Sequence, residues 1–271
     1  MLARLLAVIS LALLIVPAGA VPRIVTAPAA VSAPDASRLA QTPAAPAAPK
    51  GRMTAEEIIA ALRKPENSTG NIADAVEDAT GGRGWMSADM KPIMDGKIVG
   101  RAWTATMRPV LKNDNRTYPN YLLQILDEAP AGSVLVYVLE GGLEIAAIGN
   151  LMATTAQVRG LEGTVIDGAV RDVAELRRIG HRAFARRISP ATSVGRMVSV
   201  TKQTPVRCAE VMVHPDDYIV GDADGVVVVP QNAAEKVIAL LDQYNDKESK
   251  MVEIIKREKS MLKALEIYGR Y

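Results

Sequence analysis

The stretch that decides the fold begins with Gly149-Asn150-Leu151-Met152 and ends, after a short helical segment, with Thr164-Val165-Ile166-Asp167-Gly168-Ala169-Val170-Arg171-Asp172. The first four residues begin a predicted helix, and the second run is a β-rich segment that closes with an arginine beside an aspartate. A guanidinium can hold a carboxylate through two hydrogen bonds, and an aspartate can hold a hard divalent cation next to it. The stretch therefore carries the two groups that chemistry on a 2-oxo acid requires.

Two interpretations of this stretch remain open from spacing alone. Free N–H groups and the helix dipole favour an anion at a helix N-terminus, so Gly149–Met152 forms a carboxylate clamp if Arg171 approaches it. In the plain structural interpretation, Asn150 is an ordinary N-cap and Arg171 makes a salt bridge that only supports the fold. Adjacent arginine and aspartate residues are common, and spacing by itself favours the structural interpretation.

Strand-like and helical patterns alternate on both sides of this stretch. Strands are predicted over residues 97–105, 134–138, 163–166, 183–185, 197–201, 211–214 and 226–229, and helices over 58–62, 72–76, 118–129, 151–159, 173–179 and from 232 almost to the end. The run 216–225 is rich in turn-forming residues and is predicted as a turn. The order of elements predicts a single α/β domain, layered around a mixed sheet, with a long C-terminal helix.

The amino-acid composition limits the classes of partner that the chain is expected to bind. Hydrophobic residues make up 49% of the 271 residues, which is enough for a substantial core. The formal net charge is +2, from 32 basic and 30 acidic residues, so the chain has no global attraction for nucleic acid or for an anionic membrane. Aromatic residues are only 4%, which also disfavours base stacking. We expect no nucleic-acid partner.

Cysteine and histidine counts restrict the metal chemistry. Cys208 is the only cysteine, and His181 and His214 are the only histidines, so a zinc site built from these residue types is excluded. Any metal must be held by carboxylates and water, which favours Mg²⁺ or Mn²⁺. Nothing in the sequence places His214 beside Cys208 as base and nucleophile, and a lone cysteine on an apolar strand more often belongs to the core.

The first fifty residues are predicted to precede the folded domain. A short basic lead, an apolar stretch from Leu5 to Val16 and the small residues Ala18-Gly19-Ala20 indicate a signal peptide over residues 1–20. The apolar stretch is short for a membrane span, and an uncleaved anchor is the alternative. Residues 21–52, rich in Ala and Pro, are typical of a disordered linker. We expect a folded domain over 53–271 and export to the periplasm or medium, with no stable membrane span after cleavage.

Several ordered motifs accompany the central stretch. They are Asn71–Ala75, Gly149–Thr154, Arg159-Gly160, Val165–Asp172, and Asp217 followed by Gly221–Pro230. Together they resemble the RraA-like family, which includes the 4-hydroxy-4-methyl-2-oxoglutarate aldolases that also decarboxylate oxaloacetate. The resemblance covers roughly Thr54 to the C-terminal helix. It implies a swivelling ββα-type sandwich that assembles as a homotrimer or hexamer, with sites between subunits.

The resemblance also implies roles for individual residues. Backbone amides of the run Gly149, Asn150, Leu151 and Met152 hold the carboxylate of pyruvate, with Arg171 as the charged partner, and Asp172 ligates Mg²⁺ or Mn²⁺. A glutamate from the C-terminal helix of a neighbouring subunit supports a water on the metal, and Glu248 is the candidate. The implied reaction breaks a carbon–carbon bond of a small 2-oxo acid, and the resulting enolate, stabilised by Arg171 and the cation, is protonated to pyruvate.

Two residues depart from the family pattern. Aldolase members carry an aspartate at the position of Asn150, and an amide cannot act as a base. Binding of pyruvate and metal should survive this change, whereas aldol cleavage is the activity that it puts in question. Asp216 lies in Pro215-Asp216-Asp217, where the family usually has Pro-Gly-Asp, which alters a turn. The alternative function is a non-catalytic RraA-like binding or regulatory protein that retains a pocket for metal and 2-oxo acid.

Overall fold

The computed structural model describes residues 52–269, so the predicted signal peptide and all but the last residue of the predicted linker lie outside the described residues. The described helices are α1 (Ala55–Arg63), α2 (Thr69–Thr80), α3 (Tyr121–Glu128), α4 (Asn150–Val158), α5 (Val173–Ile179), α6 (Ala234–Glu258) and α7 (Met261–Tyr268). The described strands are β1 (Lys91–Pro92), β2 (Ile98–Pro109), β3 (Val134–Leu139), β4 (Ala146–Ile148), β5 (Gly163–Val170), β6 (Ala183–Ile188), β7 (Met197–Lys202), β8 (Val206–Cys208), β9 (Val211–Val213), β10 (Tyr218–Gly221) and β11 (Val226–Val229).

A mixed sheet runs through the centre of the fold, and the 12-residue strand β2 joins its two parts. β2 pairs antiparallel with β10 along Ile98–Arg101 and parallel with β3 along Ala102–Met107. Parallel pairing continues from β3 to β5 and from β5 to β6, while β11 lies beside β10 at the other end. β2 therefore changes neighbour halfway along its length, which divides the sheet into two parts that pack on different layers.

Helices and a small second sheet cover this central sheet. α3, α4 and α5 pack on one face of β3 and β5 through side chains such as Ile125, Ala153 and Leu176. The β8–β9 hairpin packs on the opposite face, and α1, α2 and α6 pack against β10 and β11. The described residues belong to one compact unit. These layers confirm the predicted α/β sandwich with a mixed sheet, its swivelling ββα-type arrangement and the long C-terminal helix.

β3 and β5 are deeply buried strands, and their sequences explain why. Every residue of Val134–Leu139 is apolar and buried, and β5 is buried at every position except Asp167. Parallel strands that are covered on both faces have continuous apolar sequences instead of alternating apolar and polar residues. The carboxylate of Asp167 is tolerated because it accepts the Ala209 N–H at 2.6 Å and pairs with Arg186 at 3.0 Å.

The structure corrects the sequence-based prediction at several places. Tyr218–Gly221, predicted within a turn, is the buried strand β10, because it pairs with both β2 and β11. β5 continues past the predicted end at Ile166 to Val170. The C-terminal helix is not continuous: Lys259, with φ of 51°, ends α6, and Ser260 caps α7. Within residues 52–269, no helix is both long and apolar enough to cross a membrane.

β4 brings the start of α4 next to the end of β5. β5 pairs with β3 along its first five residues and with β4 at Ala169 and Val170, so β4 replaces β3 as its neighbour. Just beyond this pairing, the Arg171 N–H donates to the carbonyl oxygen of Ile148 at 3.1 Å. Gly149 and Arg171 therefore leave the sheet at the same edge. In open α/β sheets the carboxyl ends of parallel strands are the usual place for a ligand.

One histidine is fully buried beside β5. His181 Nε2 lies 2.9 Å from the Thr164 hydroxyl oxygen, and its Nδ1 has no hydrogen-bond partner among residues 52–269. A charged imidazolium would lose its hydration there without gaining a counter-ion. Burial accordingly lowers the pKa of His181 from 6.5 to about 4.

The buried His181 predicts a pH-dependent component of stability. Between pH 6.5 and about 4, the unfolded state binds a proton at this residue and the folded state does not, so the free energy of unfolding falls as the pH drops through this window. The stability is fully present above pH 6.5, and about 3 kcal/mol of it is lost by pH 4. Urea denaturation at a series of pH values should show a shallower slope for His181→Gln than for the wild type. Equal slopes would contradict this account.

Candidate functional site

The first turn of α4 is capped by a residue from another element. Gly149 is the N-cap in extended backbone and, lacking a side chain, supplies no capping hydrogen bond. Instead, the Asn150 N–H donates to Asp172 Oδ2 at 3.0 Å. Asn150 is thus the first helical residue, and the interpretation of it as an ordinary N-cap is wrong. An aspartate at a helix N-terminus is favoured by the free N–H groups and the helix dipole.

The backbone of Asp172 explains why its carboxylate faces α4. Asp172 is the N-cap of α5, but it adopts left-handed backbone with φ of 57° and makes no side-chain cap to its own helix. Its carbonyl oxygen accepts the N–H groups of Glu175 and Leu176 at 2.9 and 3.0 Å. Left-handed backbone is uncommon for residues other than glycine, although Asp tolerates it better than most. The turn directs the carboxylate to the neighbouring helix start.

Arg171 stands beside this carboxylate with its hydrogen-bond donors uncommitted. Its Nε lies 3.7 Å from Asp172 Oδ2, and the two side chains are 41% and 42% exposed. This distance is too long for a hydrogen bond, and the guanidinium makes none to any residue that the structure describes. An exposed ion pair contributes little to stability, on the order of 0–1 kcal/mol. The pair is therefore poorly explained as a device that stabilises the fold.

Glycine at position 149 makes room for the pair. A Cβ atom there would lie 2.6 Å from Asp172 Oδ2 and 2.9 Å from Arg171 Nε. Both distances are shorter than a methyl group tolerates. The backbone of Gly149 is extended, so space, and not conformational freedom, is what requires glycine. Sequence analysis placed Gly149 in the clamp for its amide and missed this packing role.

The next two residues offer the amides of a clamp. Leu151 and Met152 lie in the first turn of α4, where backbone N–H groups have no partner within the helix. The Leu151 side chain is 81% exposed, whereas Met152 packs against the hydrophobic core. Since Asp172 already accepts the N–H of Asn150, the Leu151 and Met152 amides and the Arg171 guanidinium are the donors that remain for a ligand carboxylate.

Glu248 lies on a different element of the same chain. It is on α6, and its Oε2 accepts a hydrogen bond from Asn71 Nδ2 of α2 at 3.0 Å. Asn71 itself belongs to one of the motifs that carry the family resemblance. The structure therefore places Glu248 beside α2, whereas Arg171 and Asp172 adjoin α4 and α5. The resemblance takes this glutamate from a neighbouring subunit, and that role stays a prediction.

The residues around Asp172 fit a cation that keeps most of its water. Residues 52–269 contain no cluster of three or more histidine, cysteine, aspartate or glutamate side chains that could hold a metal ion. Asp172 is the carboxylate that the site offers to a cation. Mg²⁺ is commonly bound by one or two carboxylates together with water and substrate oxygens, and Mn²⁺ accepts the same oxygen ligands. This donor set suits neither zinc nor a calcium cage.

A wide cleft of the described structure lies away from this site. Its volume is about 930 Å³, and it lies between the end of α2, β9 and the start of α6. His214 and Asp217 line it, but the buried Asp217 carboxylate accepts the backbone N–H groups of His214 and Gln231, which indicates that it fixes a turn. Burial raises the pKa of the Cys208 thiol, so this cysteine is unsuited as a nucleophile. The chemically competent groups therefore lie at Arg171 and Asp172 and not in this cleft.

A smaller cleft of about 340 Å³ opens beside the first turn of α4. We call it the α4 cleft. Its walls come from Ala147 and Met152, from residues 118–120, 122 and 123 around the start of α3, and from residues 193–195 and 197–199 leading into and opening β7. Sequence analysis did not predict this cleft, because its walls come from segments far apart in the chain and share no motif.

Comparison with known proteins supports the family and the fold. A family model described as "RraA-like: Aldolase/RraA" matches residues 69–228. The "Putative 4-hydroxy-4-methyl-2-oxoglutarate aldolase" of Halalkalibacterium halodurans is 31% identical over 175 residues, which cover 62% of this chain and 74% of that protein. A crystal structure of an uncharacterized protein from Pseudomonas syringae pv. tomato has a TM-score of 0.70 at 26% identity and covers 79% of this chain and 95% of that one.

A longer relative shares only this region. Protein DlpA of Legionella pneumophila is 31% identical over 174 residues, which are 63% of this chain but 27% of DlpA. The chain therefore spans about a quarter of the length of DlpA. This similarity extends to the matched region and no further.

The packing around Gly149 predicts that Gly149→Ala weakens ligand binding but leaves the stability of the fold almost unchanged. In Gly149→Ala the new methyl group must displace Asp172 Oδ2 and Arg171 Nε. Both atoms belong to partly exposed side chains that can turn away, so we expect the free energy of unfolding to change by less than about 1 kcal/mol. Pyruvate affinity in the presence of Mg²⁺, measured by isothermal titration calorimetry, should fall about tenfold or more because the donors move.

The matched control is Gly82→Ala. A Cβ at position 82 would meet its nearest neighbour, Thr80 Oγ1, at 3.7 Å, an ordinary contact distance. This variant should bind pyruvate as the wild type does. If Gly149→Ala also bound pyruvate with unchanged affinity, the placement of the ligand beside Gly149 would be wrong.

Proposed function

The chain belongs to the RraA-like family, and from that premise we propose that it is a divalent-metal-dependent lyase that cleaves a carbon–carbon bond of a 2-oxo acid to give pyruvate. The two candidate reactions are aldol cleavage of 4-hydroxy-4-methyl-2-oxoglutarate and decarboxylation of oxaloacetate. One observation carries the proposal: Asp172 Oδ2 accepts the Asn150 N–H at 3.0 Å, with the guanidinium of Arg171 beside it.

The substrate carboxylate binds at the first turn of α4. It accepts hydrogen bonds from the backbone N–H groups of Leu151 and Met152 and from the guanidinium of Arg171. Because Asp172 occupies the Asn150 N–H, the substrate is directed to the next two amides. Charge-assisted bonds of this kind are shorter and stronger than neutral ones, and the dipole of α4 adds to them.

Arg171 serves the reaction as well as binding. When a carbon–carbon bond next to the 2-oxo group breaks, negative charge develops on the oxygen of an enolate. The backbone of Arg171 is fixed by its N–H bond to Ile148, and its guanidinium has donors available for that charge; donors aimed at developing charge supply a large share of catalysis. Asp172 would hold Mg²⁺ or Mn²⁺, and the bound cation would supply further polarisation of the 2-oxo oxygen.

Asn150 separates the two candidate reactions. Aldol cleavage requires that a hydroxyl group lose its proton, whereas decarboxylation releases CO₂ without such a step. The amide of Asn150 cannot accept that proton. The chain's own residues therefore support decarboxylation more directly than aldol cleavage. The same asparagine favours the second candidate function, a non-catalytic binding or regulatory protein that keeps the pocket.

Release of pyruvate distinguishes a lyase from a binding protein. With Mg²⁺ or Mn²⁺, the wild type should release pyruvate from oxaloacetate faster than the metal ion alone, and a chelator should abolish the release. Arg171→Ala and Asp172→Ala should each lower kcat/KM by about 100-fold or more, because each removes a group that meets the developing charge or the cation. Arg178→Ala is the matched control, since Arg178 is exposed and pairs with Glu175 on α5.

Further variants and substrates extend this assay. Asn150→Asp restores a carboxylate, and we expect it to raise the rate of pyruvate release from 4-hydroxy-4-methyl-2-oxoglutarate. No metal-dependent turnover of either substrate by the wild type or by Asn150→Asp would overturn the lyase proposal. Pyruvate binding that persists without turnover would then support the binding protein.

Export is proposed from the N-terminal sequence. The apolar stretch from Leu5 to Val16 and the small residues at 18–20 support a signal peptide that is removed on translocation. The mature protein would then begin near Val21. N-terminal sequencing of the protein recovered from periplasm or medium tests this, and an intact Met1 in the recovered protein would contradict cleavage.

Assembly as a homotrimer or hexamer is proposed from surface composition together with the family. Large apolar side chains are exposed on the C-terminal helices, among them Leu262 at 73% and Ile267 at 59%. Exposed large apolar side chains are found on surfaces that pack against another subunit, which supports the family-based proposal. Light scattering should give the mass of three or six chains, and a monomer in dilute solution would contradict the proposal.

A further inference from the structure

The α4 cleft carries an inference about the substrate, which rests on the proposed function. We propose that this cleft receives an uncharged, apolar group that the 2-oxo acid carries in place of a second carboxylate. The cleft would thereby select among 2-oxo acids by what lies beyond their 2-oxo group.

Met152 connects the proposed carboxylate clamp with the cleft. Its backbone N–H lies in the first turn of α4, and its side chain lines the α4 cleft. Ala147, two residues before Gly149, lines the same cleft. A ligand whose carboxylate meets the Met152 amide therefore has the cleft within reach of the atoms that follow its 2-oxo group. The cleft and the Arg171–Asp172 pair both adjoin the carboxyl edge of the parallel strands.

The lining of the cleft is uncharged, and two of its polar groups are already hydrogen-bonded. Among residues 52–269, no lysine, arginine, histidine, aspartate or glutamate lines it. The side chain of Asn120 accepts the Leu123 N–H as the cap of α3, and the Tyr118 hydroxyl donates to Asp114 at 2.6 Å. Ser199 is buried. Methionine, leucine, valine and alanine side chains form much of the remaining surface.

This lining disfavours a second carboxylate. A carboxylate moved into the cleft would lose hydration, and no cation is among the described lining residues to replace it. The Arg108 guanidinium instead donates to the hydroxyl of the lining residue Tyr118 at 3.3 Å. An apolar group gains free energy in proportion to the area it buries. At about 340 Å³, the cleft lies within the range of small-molecule sites. 4-Hydroxy-4-methyl-2-oxoglutarate and oxaloacetate would therefore be recognised through their 2-oxo end only.

The walls of the cleft are held in place by the backbone. The Ala146 N–H donates to the Ala191 carbonyl oxygen at 2.8 Å, and the Ser193 N–H donates to the Ala146 carbonyl oxygen at 3.2 Å. These bonds tie the segment 191–193 to β4. A wall fixed in this way favours shape selection over rearrangement around the ligand.

Binding of unreactive 2-oxo acids tests the inference. Isothermal titration calorimetry with Mg²⁺ compares pyruvate, 4-methyl-2-oxopentanoate, phenylpyruvate and 2-oxoglutarate on the full-length protein. We expect the branched and aromatic compounds to bind at least about tenfold more tightly than pyruvate. 2-Oxoglutarate should bind no more tightly than pyruvate. Equal affinities for pyruvate and the apolar compounds would overturn the inference.

Leu123→Arg is the informative variant, because Leu123 lines the cleft and is 42% exposed, so a longer side chain is tolerated there. On this variant, the apolar compounds should bind no more tightly than pyruvate, and the affinity for 2-oxoglutarate should exceed that for pyruvate about tenfold. Leu123→Met keeps the apolar wall and should keep the wild-type ranking. Val158→Arg puts the same charge at the far end of α4, where the side chain is 83% exposed. This variant should also keep the wild-type ranking.

The failure of this inference is distinguishable from failure of the proposed function. A ranking that Leu123→Arg leaves unchanged would overturn the role of the cleft, while pyruvate binding that Arg171→Ala abolishes would still support the 2-oxo-acid site. Absence of any pyruvate binding that depends on Arg171 would overturn both.

Discussion

The hydrogen bond from the Asn150 amide to the Asp172 carboxylate is the contact on which the candidate site depends. It joins the start of α4 to the turn between β5 and α5, two segments that are brought together because β4 takes the place of β3 beside the end of β5. Gly149 leaves the space for this contact. A helix cap is worth about 1 kcal/mol, so the bond stabilises α4 modestly and fixes the direction of the carboxylate.

This arrangement has an electrostatic consequence. The starts of α4 and α5 meet at Asp172, and both helix N-termini favour anions. A lone cation is disfavoured there unless further negative charge accompanies it, and a 2-oxo acid bound through its carboxylate brings that charge. Metal and 2-oxo acid should therefore strengthen each other's binding, since a coupling between two ligands acts equally in both directions. In the proposed site, Arg171, whose guanidinium makes no hydrogen bond within residues 52–269, would hold the substrate carboxylate.

Much of the layered fold followed from local patterns, because long apolar runs and helical spacing report burial directly. The strand Val134–Leu139 and the start of α4 are examples. β10 was missed, since its four residues lie between turn-forming aspartates and become a strand only by pairing with two partners that are distant in sequence. The break at Lys259 was missed for a related reason: no glycine or proline marks it, and a lysine adopts the left-handed backbone.

The candidate site likewise combines features that the sequence reveals with features that only the folded chain reveals. Arg171 and Asp172 were apparent as neighbours in sequence, and the family motifs suggested their roles. The packing reason for Gly149, the capping of α4 by Asp172 and the α4 cleft depend on contacts between segments that only the folded chain brings together. Asn150 was apparent as a departure from the family, and the structure adds that its backbone N–H is the donor to Asp172.

The proposed site requires that Asp172 hold a divalent cation next to a 2-oxo acid bound at the start of α4. The most direct measurement is the paramagnetic relaxation of ¹³C-labelled pyruvate by Mn²⁺ in the presence of the protein. We predict strong relaxation of C1 and C2 with the wild type, and a return to the rates of pyruvate with free Mn²⁺ for Asp172→Ala. Relaxation that persists unchanged in Asp172→Ala would contradict the claim.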